Sequence, residues 1–227
     1  MSLRVSNVNK YSKLKELTVR QFTNRINKMI SRSAIDLILQ FEVENKNYYN
    51  KFLFRPSYRG TGIIIGIGYD LGDTYKTQLI DDWDGNINPN YFPLLFRVLG
   101  LNGNPAKQML TSDLLKVNIP YLNAYEVFIK RTIPRGYSMA KFIYPHLDDL
   151  NANTRGALVS LVLSRGNSLE GEDKAEMREI IDFTRNRDYE GIADALERSK
   201  RHFEEKGLDN QVKRREAEAD LVLSSLY

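Results

Sequence analysis

Glu42 and Asp70 are the two side chains of this sequence best placed for acid and base chemistry. Glu42 ends the apolar run from Ile35 to Phe41, and Asp70 stands two residues after Gly68 in a glycine-rich stretch. A carboxylate at the apolar end of a helix beside a Gly-rich hairpin is partly desolvated, while a second one at a strand end stays wet. Such unequal surroundings split two acids into a proton donor and an anion. At Glu42, desolvation and the negative end of the helix dipole both disfavour charge, which suits a general acid. Taken without further context, each acid reads equally well as a solvated surface group or a cap. Other chemistries are thinly supplied. The chain has no cysteine, which removes thiolate nucleophiles, disulfides and thiolate metal sites, and its two histidines, His146 and His202, are far apart. Asp81, Asp82 and Asp84 surround Trp83, but they lack the acid spacing and the closing Glu of a calcium-binding EF-hand loop and read as a turn-rich loop. Any hydrolytic chemistry therefore rests on carboxylates, with no cofactor and no metal expected.

The elements that must position these acids follow from the periodicity. Residues 1 to about 12 read as an arm, after which apolar residues recur from Leu14 to Phe41 mostly at helical steps. The segment SRS at 31–33 breaks that run, with Ser33 as the N-cap of a helix through Glu44. Residues 48–72 change character: aromatics, Pro56 and glycines surround the β-branched run Ile63, Ile64 and Ile65, which predicts strand, turn, strand. From Tyr91 onward helices are expected over 91–100, 105–116, 118–132, 138–143, 151–165, 174–186, 189–204 and 208–226. Strands and helices segregate along the chain, so the fold class is α+β, mostly helical with one small β-hairpin or sheet lobe.

The chain has 227 residues, room for one domain of two lobes or a domain with an arm. Its net charge of +4 averages over unequal parts: 12 Lys and Arg against 4 Asp and Glu in residues 1–59, 10 against 9 in 60–169, and 11 against 16 in 170–227. A basic start points to an anionic partner such as nucleic acid, an acidic cell-wall polymer or an anionic membrane surface, or else to a solvated helical face. No zinc-finger, RRM or basic-zipper pattern accompanies it, so no nucleic acid is expected. No apolar run approaches the roughly 20 residues of a membrane helix, so the chain is not expected to be membrane-integral. The first residues, MSLRVSNVNKYSKLKEL, lack the apolar region of a Sec signal.

The stretch Gly60-Thr-Gly-Ile-Ile-Ile-Gly-Ile-Gly-Tyr-Asp-Leu-Gly72, downstream of an acid on a helix, resembles the hallmark of phage-type lysozymes and pesticin-like muramidases, in which a Glu-bearing helix leads into a hairpin containing Thr-Ile-Gly-x-Gly. Ala157-Leu-Val-Ser-Leu-Val-Leu-Ser-Arg-Gly166 resembles the buried helix of that family, and Gly207-Leu with Arg214-Arg-Glu-Ala217 resembles its C-terminal Arg-rich helix. The resemblance covers residues 33–227. It implies a lysozyme-like fold: an N-terminal arm and helix over 1–30, then one domain over 31–227 with a small β-containing lobe to about 90 and a helical lobe from about 91.

The implied activity is cleavage of the β-1,4 bond between N-acetylmuramic acid and N-acetylglucosamine in peptidoglycan. Glu42 matches the catalytic acid and Asp70 the pesticin-like acid that follows Gly-x-Gly-Tyr, as base or stabiliser. Glu44, two positions on, points to a different side of a helix and is the alternate. Thr61, Tyr69, Arg165 and Asn167 are expected substrate contacts, since sugar sites combine aromatic faces with a few polar groups; Tyr69 reads equally as core and Arg165 as a helix cap, and Trp83 is a candidate for the cleft wall. Three departures stand out. Ile64 occupies the place of a Thr whose hydroxyl helps hold the attacking water, and Ile cannot hydrogen-bond water. Residues 57–61 contain no acid to match the phage-type Asp, and Leu163-Ser164 replaces Phe-Asn. Water positioning then falls to Thr61, Ser57 or Tyr69, or else the chain is a weakened or inactive cell-wall-binding relative. The expected partners are peptidoglycan and, for a monomer made in the cytoplasm without a Sec signal, a holin or secretion machine that releases it to the cell wall, with an immunity protein for the producing cell.

Overall fold

Ser31 sets the start of the helix that carries Glu42. Its hydroxyl accepts the backbone N–H of Ala34 at 3.0 Å, so the N-cap is Ser31 rather than Ser33, and the helix is Arg32–Val43. Ala34, Ile35, Leu37 and Ile38 supply its buried face. The helix stops because Glu44 turns into the left-handed region at φ +61°. Asn45 then starts the next helical segment, its side chain accepting from the Tyr48 N–H at 2.9 Å. The computed structural model describes Gln21, Asn24 and residues 26–226; the expected arm, and most of the helix expected from Leu14, lie outside the described residues.

The fold is mostly helical, 65% of it, with a small three-stranded antiparallel sheet among the described residues, an α+β arrangement. Strand β1 is Ser57–Tyr58, β2 is Ile63–Ile65 and β3 is Tyr69–Asp70, in the order β1-β2-β3. The register pairs Ser57 with Ile64 and Ile64 with Asp70. Because side chains alternate across a strand, Ser57, Ile64 and Asp70 form one row on one face, and Tyr69 and Ile65 pair on the other.

The described residues fall into two compact units, one over 42–132 and one made of 24–41 with everything from Ile133 onward. The boundary expected near residue 91 falls inside the first of these. There the sheet's inner face packs on Trp83, which is fully buried and meets Tyr69 edge-on at 5.5 Å. Gly66 exists to admit that indole, since a Cβ there would lie 2.6 Å from Trp83 Cη2 and 3.4 Å from the Ala124 side chain. Trp83 ends the Lys76–Trp83 helix. The expected turn-rich loop thus begins as a helix, and the cleft-wall expectation for Trp83 gives way to a core role. Residues 46–53 also correct the sequence reading. They form the helix Lys46–Tyr48 followed by a π-helix, Tyr49–Leu53, although strand, turn, strand was expected from residue 48. Buried Tyr49 fixes this segment through its hydroxyl, which donates to the Ile119 carbonyl at 2.9 Å.

In the second unit the Ala152–Arg165 helix is the core element, with every residue from Gly156 to Val162 buried. Gly156 lets Ala34 approach closely, as a Cβ there would lie 2.0 Å from the Ala34 Cβ. The Arg155 guanidinium ties the helix to the Met29 carbonyl at 2.6 Å and the Leu150 carbonyl at 2.8 Å. Helices Ala175–Asn186 and Asp209–Leu223 stand close to their expected spans, whereas 189–204 divides into Tyr189–Arg198 and Arg201–Glu204. His202 is mostly buried, with its Nε2 3.1 Å from Glu176 Oε2. No helix among the described residues is long and apolar enough to cross a membrane.

Candidate active site

The carboxyl of Glu42 lies against the backbone of the hairpin. A Cβ on Gly68 would fall 2.5 Å from Glu42 Oε2 and 2.8 Å from its Cδ, and Gly68 itself holds φ +63° in the turn between β2 and β3. Only glycine offers both that backbone angle and that clearance without strain. Glu42 is half-buried while Glu44 is exposed beyond the helix end, so of the two neighbouring acids Glu42 is the one turned toward the hairpin. The helix end is further secured by Arg59, whose Nη1 donates to the Glu42 carbonyl at 2.7 Å. A cation at the negative end of a helix is favourable, and sequence reasoning missed this contact.

Asp70 sits on the same hairpin in a fixed cradle. Its Oδ2 accepts the Thr61 hydroxyl at 2.8 Å and its Oδ1 accepts the Gly72 N–H at 2.7 Å. Two glycines make room for it: a Cβ on Gly62 would lie 2.1 Å from Asp70 Oδ1 and 2.8 Å from the Gly72 nitrogen, and one on Gly72 would lie 2.2 Å from Asn102 Oδ1. The Asn102 amide reaches back to the Gly72 carbonyl at 3.4 Å, and the Gly103 N–H donates to the Thr61 carbonyl at 2.8 Å. Both oxygens of Asp70 therefore act as acceptors. Thr61 is exposed; having donated its proton to Asp70, its oxygen keeps lone pairs for a water molecule.

The other expected site residues are placed differently. Tyr69 is buried on the opposite face of the sheet from Asp70, with its hydroxyl donating to Asp82 at 2.7 Å. Ile64 is directly opposite Asp70 in the register and in line with Ser57, an apolar side chain on the row that carries the acid. Arg165 belongs to the second unit. Its side chain is only 4% exposed, bonds the carbonyl and carboxylate of Asp173, and lies with its Cζ 5.1 Å from the Phe203 ring centre. Burial lowers its pKa below the ordinary guanidinium value. Asn167, just beyond it, is exposed. The structure thus sets the Glu42 carboxyl against Gly68 and the Thr61 hydroxyl on Asp70 of the same hairpin, and turns Tyr69 and Arg165 inward to partners of their own.

Among the described residues no group of three or more His, Asp or Glu side chains is placed to hold a metal ion. In comparison with known proteins, the chain matches no protein-family model and no curated protein sequence.

Proposed function

We propose that this protein is a peptidoglycan hydrolase of the muramidase type on a lysozyme-like fold, with Glu42 as general acid and Asp70 as base or electrostatic stabiliser. The observation that carries the reading is the Glu42 carboxyl set against Gly68 of the hairpin that holds Asp70. Glycosidases use such a pair: one carboxylic acid protonates the leaving oxygen while the second carboxylate activates water or supports the developing positive charge. The half-buried Glu42 suits the donor, and the doubly hydrogen-bonded Asp70 suits the anion. Thr61 supplies the hydroxyl that Ile64 lacks, since it adjoins Asp70 and retains acceptor capacity.

The test is turbidity loss of purified cell walls. Wild type clears them, and Glu42→Gln and Asp70→Asn each slow clearing by about 100- to 10,000-fold with unchanged thermal unfolding. Equal clearing by all three proteins would refute the assignment. A second reading has its own support in Ile64, which puts an apolar group opposite Asp70 where water must be held. On that reading the protein binds walls without cutting them, and wild type gives no clearing.

A further inference from the structure

Between Glu44 and Asp70 the chain has no acidic residue, yet it carries Lys46, Lys51, Arg55 and Arg59. None of these four cations has an ion-pair partner among the described residues, and all four are exposed. They alternate with aromatics that the structure leaves open to solvent. Phe52 is 53% exposed and Tyr48 38%, and their ring centres lie 4.8 Å apart on successive turns. Lys51 Nζ stands 5.1 Å from the Phe52 ring centre, Arg55 Cζ 4.9 Å from Phe54, and Lys46 Nζ 5.7 Å from Tyr121, which stacks on Tyr125 at 5.9 Å.

Two features argue that this surface is built rather than incidental. The Tyr49–Leu53 segment is a π-helix, a rare turn that recurs at functional sites, and it is pinned from below by buried Tyr49. The surface is also physically joined to the candidate active site, because Arg59 bonds the Glu42 carbonyl. Exposed aromatics of this size contribute large apolar faces, and unpaired cations set among them select an anionic partner.

We propose that the Lys46–Arg59 surface is a docking platform for a carboxylate-bearing amino-sugar strand, such as the peptidoglycan glycan with its stem-peptide carboxylates. Tyr48 and Phe52 take the apolar C–H faces of pyranose rings, whose electropositive hydrogens match the negative face of an aromatic ring. Lys46, Lys51 and Arg55 meet the carboxylates. The substrate class rests on the proposed muramidase reading; the charge pattern and the exposed rings do not.

The test uses the full chain in a Glu42→Gln background, which prevents cleavage, and follows its co-sedimentation with purified peptidoglycan sacculi stripped of other wall polymers. Tyr48→Ala with Phe52→Ala is expected to weaken binding about tenfold. Lys51→Ala with Arg55→Ala is expected to weaken it several-fold and to flatten its salt dependence. Sacculi whose carboxyls are amidated with ethanolamine bind wild type as weakly as unmodified sacculi bind the Lys51/Arg55 variant. Unchanged binding by the aromatic variant, or equal binding to amidated sacculi, overturns the proposal, as does tighter binding to a single-stranded oligo-dT than to soluble sacculus fragments. The two readings fail separately. Patch-dependent binding with no wall clearing by wild type refutes the hydrolase and keeps the platform, whereas Glu42-dependent clearing with patch-independent binding does the reverse.

Discussion

Two regions, one in each unit, treat charge in opposite ways. In the first, the four cations of residues 46–59 face solvent beside exposed rings with no acid assigned to them. In the second, charges are nested against one another: Arg215 Nη2 bonds Glu218 at 2.9 Å with both side chains fully buried, Arg214 bonds Ser160 at 3.1 Å, and Arg215 also donates to Ser164 at 2.7 Å. Burial raises the pKa of Glu218 and lowers that of Arg215, so each partner would hold its charge less readily without the other. The lesson is that the same residue types are a fixed structural network where acids accompany them and an available surface where acids are absent.

The comparison breaks most readily at the nested pair. Glu218→Ala leaves Arg215 charged and unpaired in the interior, and urea denaturation followed by circular dichroism is expected to show a loss of about 3–5 kcal/mol. Replacing both, as Glu218→Leu with Arg215→Met, recovers only part of that loss: the desolvation of two ions is removed with their attraction, but buried Arg214, 3.5 Å from Glu218, still loses that carboxylate. Next in size is Gly62→Ala, which forces a methyl against Asp70 and against the Gly72 nitrogen that the carboxylate holds. A destabilisation of about 1–3 kcal/mol is expected, together with loss of wall clearing if Asp70 has its proposed role. A smaller effect concerns acid sensitivity in the second unit. Hydrogen bonds from Lys141 and then Tyr137 hold Asp148 below its ordinary value of 3.8. A depressed acid contributes stability above its unfolded value, lost as pH falls through the folded one. The stability curve of Asp148→Asn is therefore flatter than wild type below about pH 4. The smallest effect is the one that sharpens the contrast: Phe52→Ala changes stability by less than about 0.5 kcal/mol, since an exposed ring contributes little to the fold. A large loss there would mean that Phe52 is structural after all.

How far the sequence spoke depended on how much of each element was self-contained. The Arg32–Val43 helix was legible from the helical spacing of its apolar residues, and Ala152–Arg165 from its continuous apolar run. The hairpin was legible from Ile63–Ile65 between glycines, and with it the neighbourhood of Glu42 and Asp70. The Lys76–Trp83 helix escaped because Asp81, Asp82 and Trp83 look like a polar turn until Tyr69 and Gly66 are seen to receive the indole and the Tyr69 hydroxyl is seen on Asp82. The π-helix escaped because aromatics favour strands locally, and only the distant Ile119 carbonyl reached by Tyr49 fixes it as helical. Arg165 illustrates the same limit at the site: a Phe203 ring and an Asp173 carboxylate, not its neighbours in sequence, decide where its guanidinium goes.

The cradle of Asp70 has a consequence for how this protein tolerates change. Gly62 and Gly72 carry no functional group, yet each stands where a single added carbon collides with the carboxylate's surroundings. In a saturation scan selected for activity, these two glycines would score as intolerant as the acid between them. Natural drift at the hairpin would be confined to its outward positions, while the acid's fence of glycines stayed frozen.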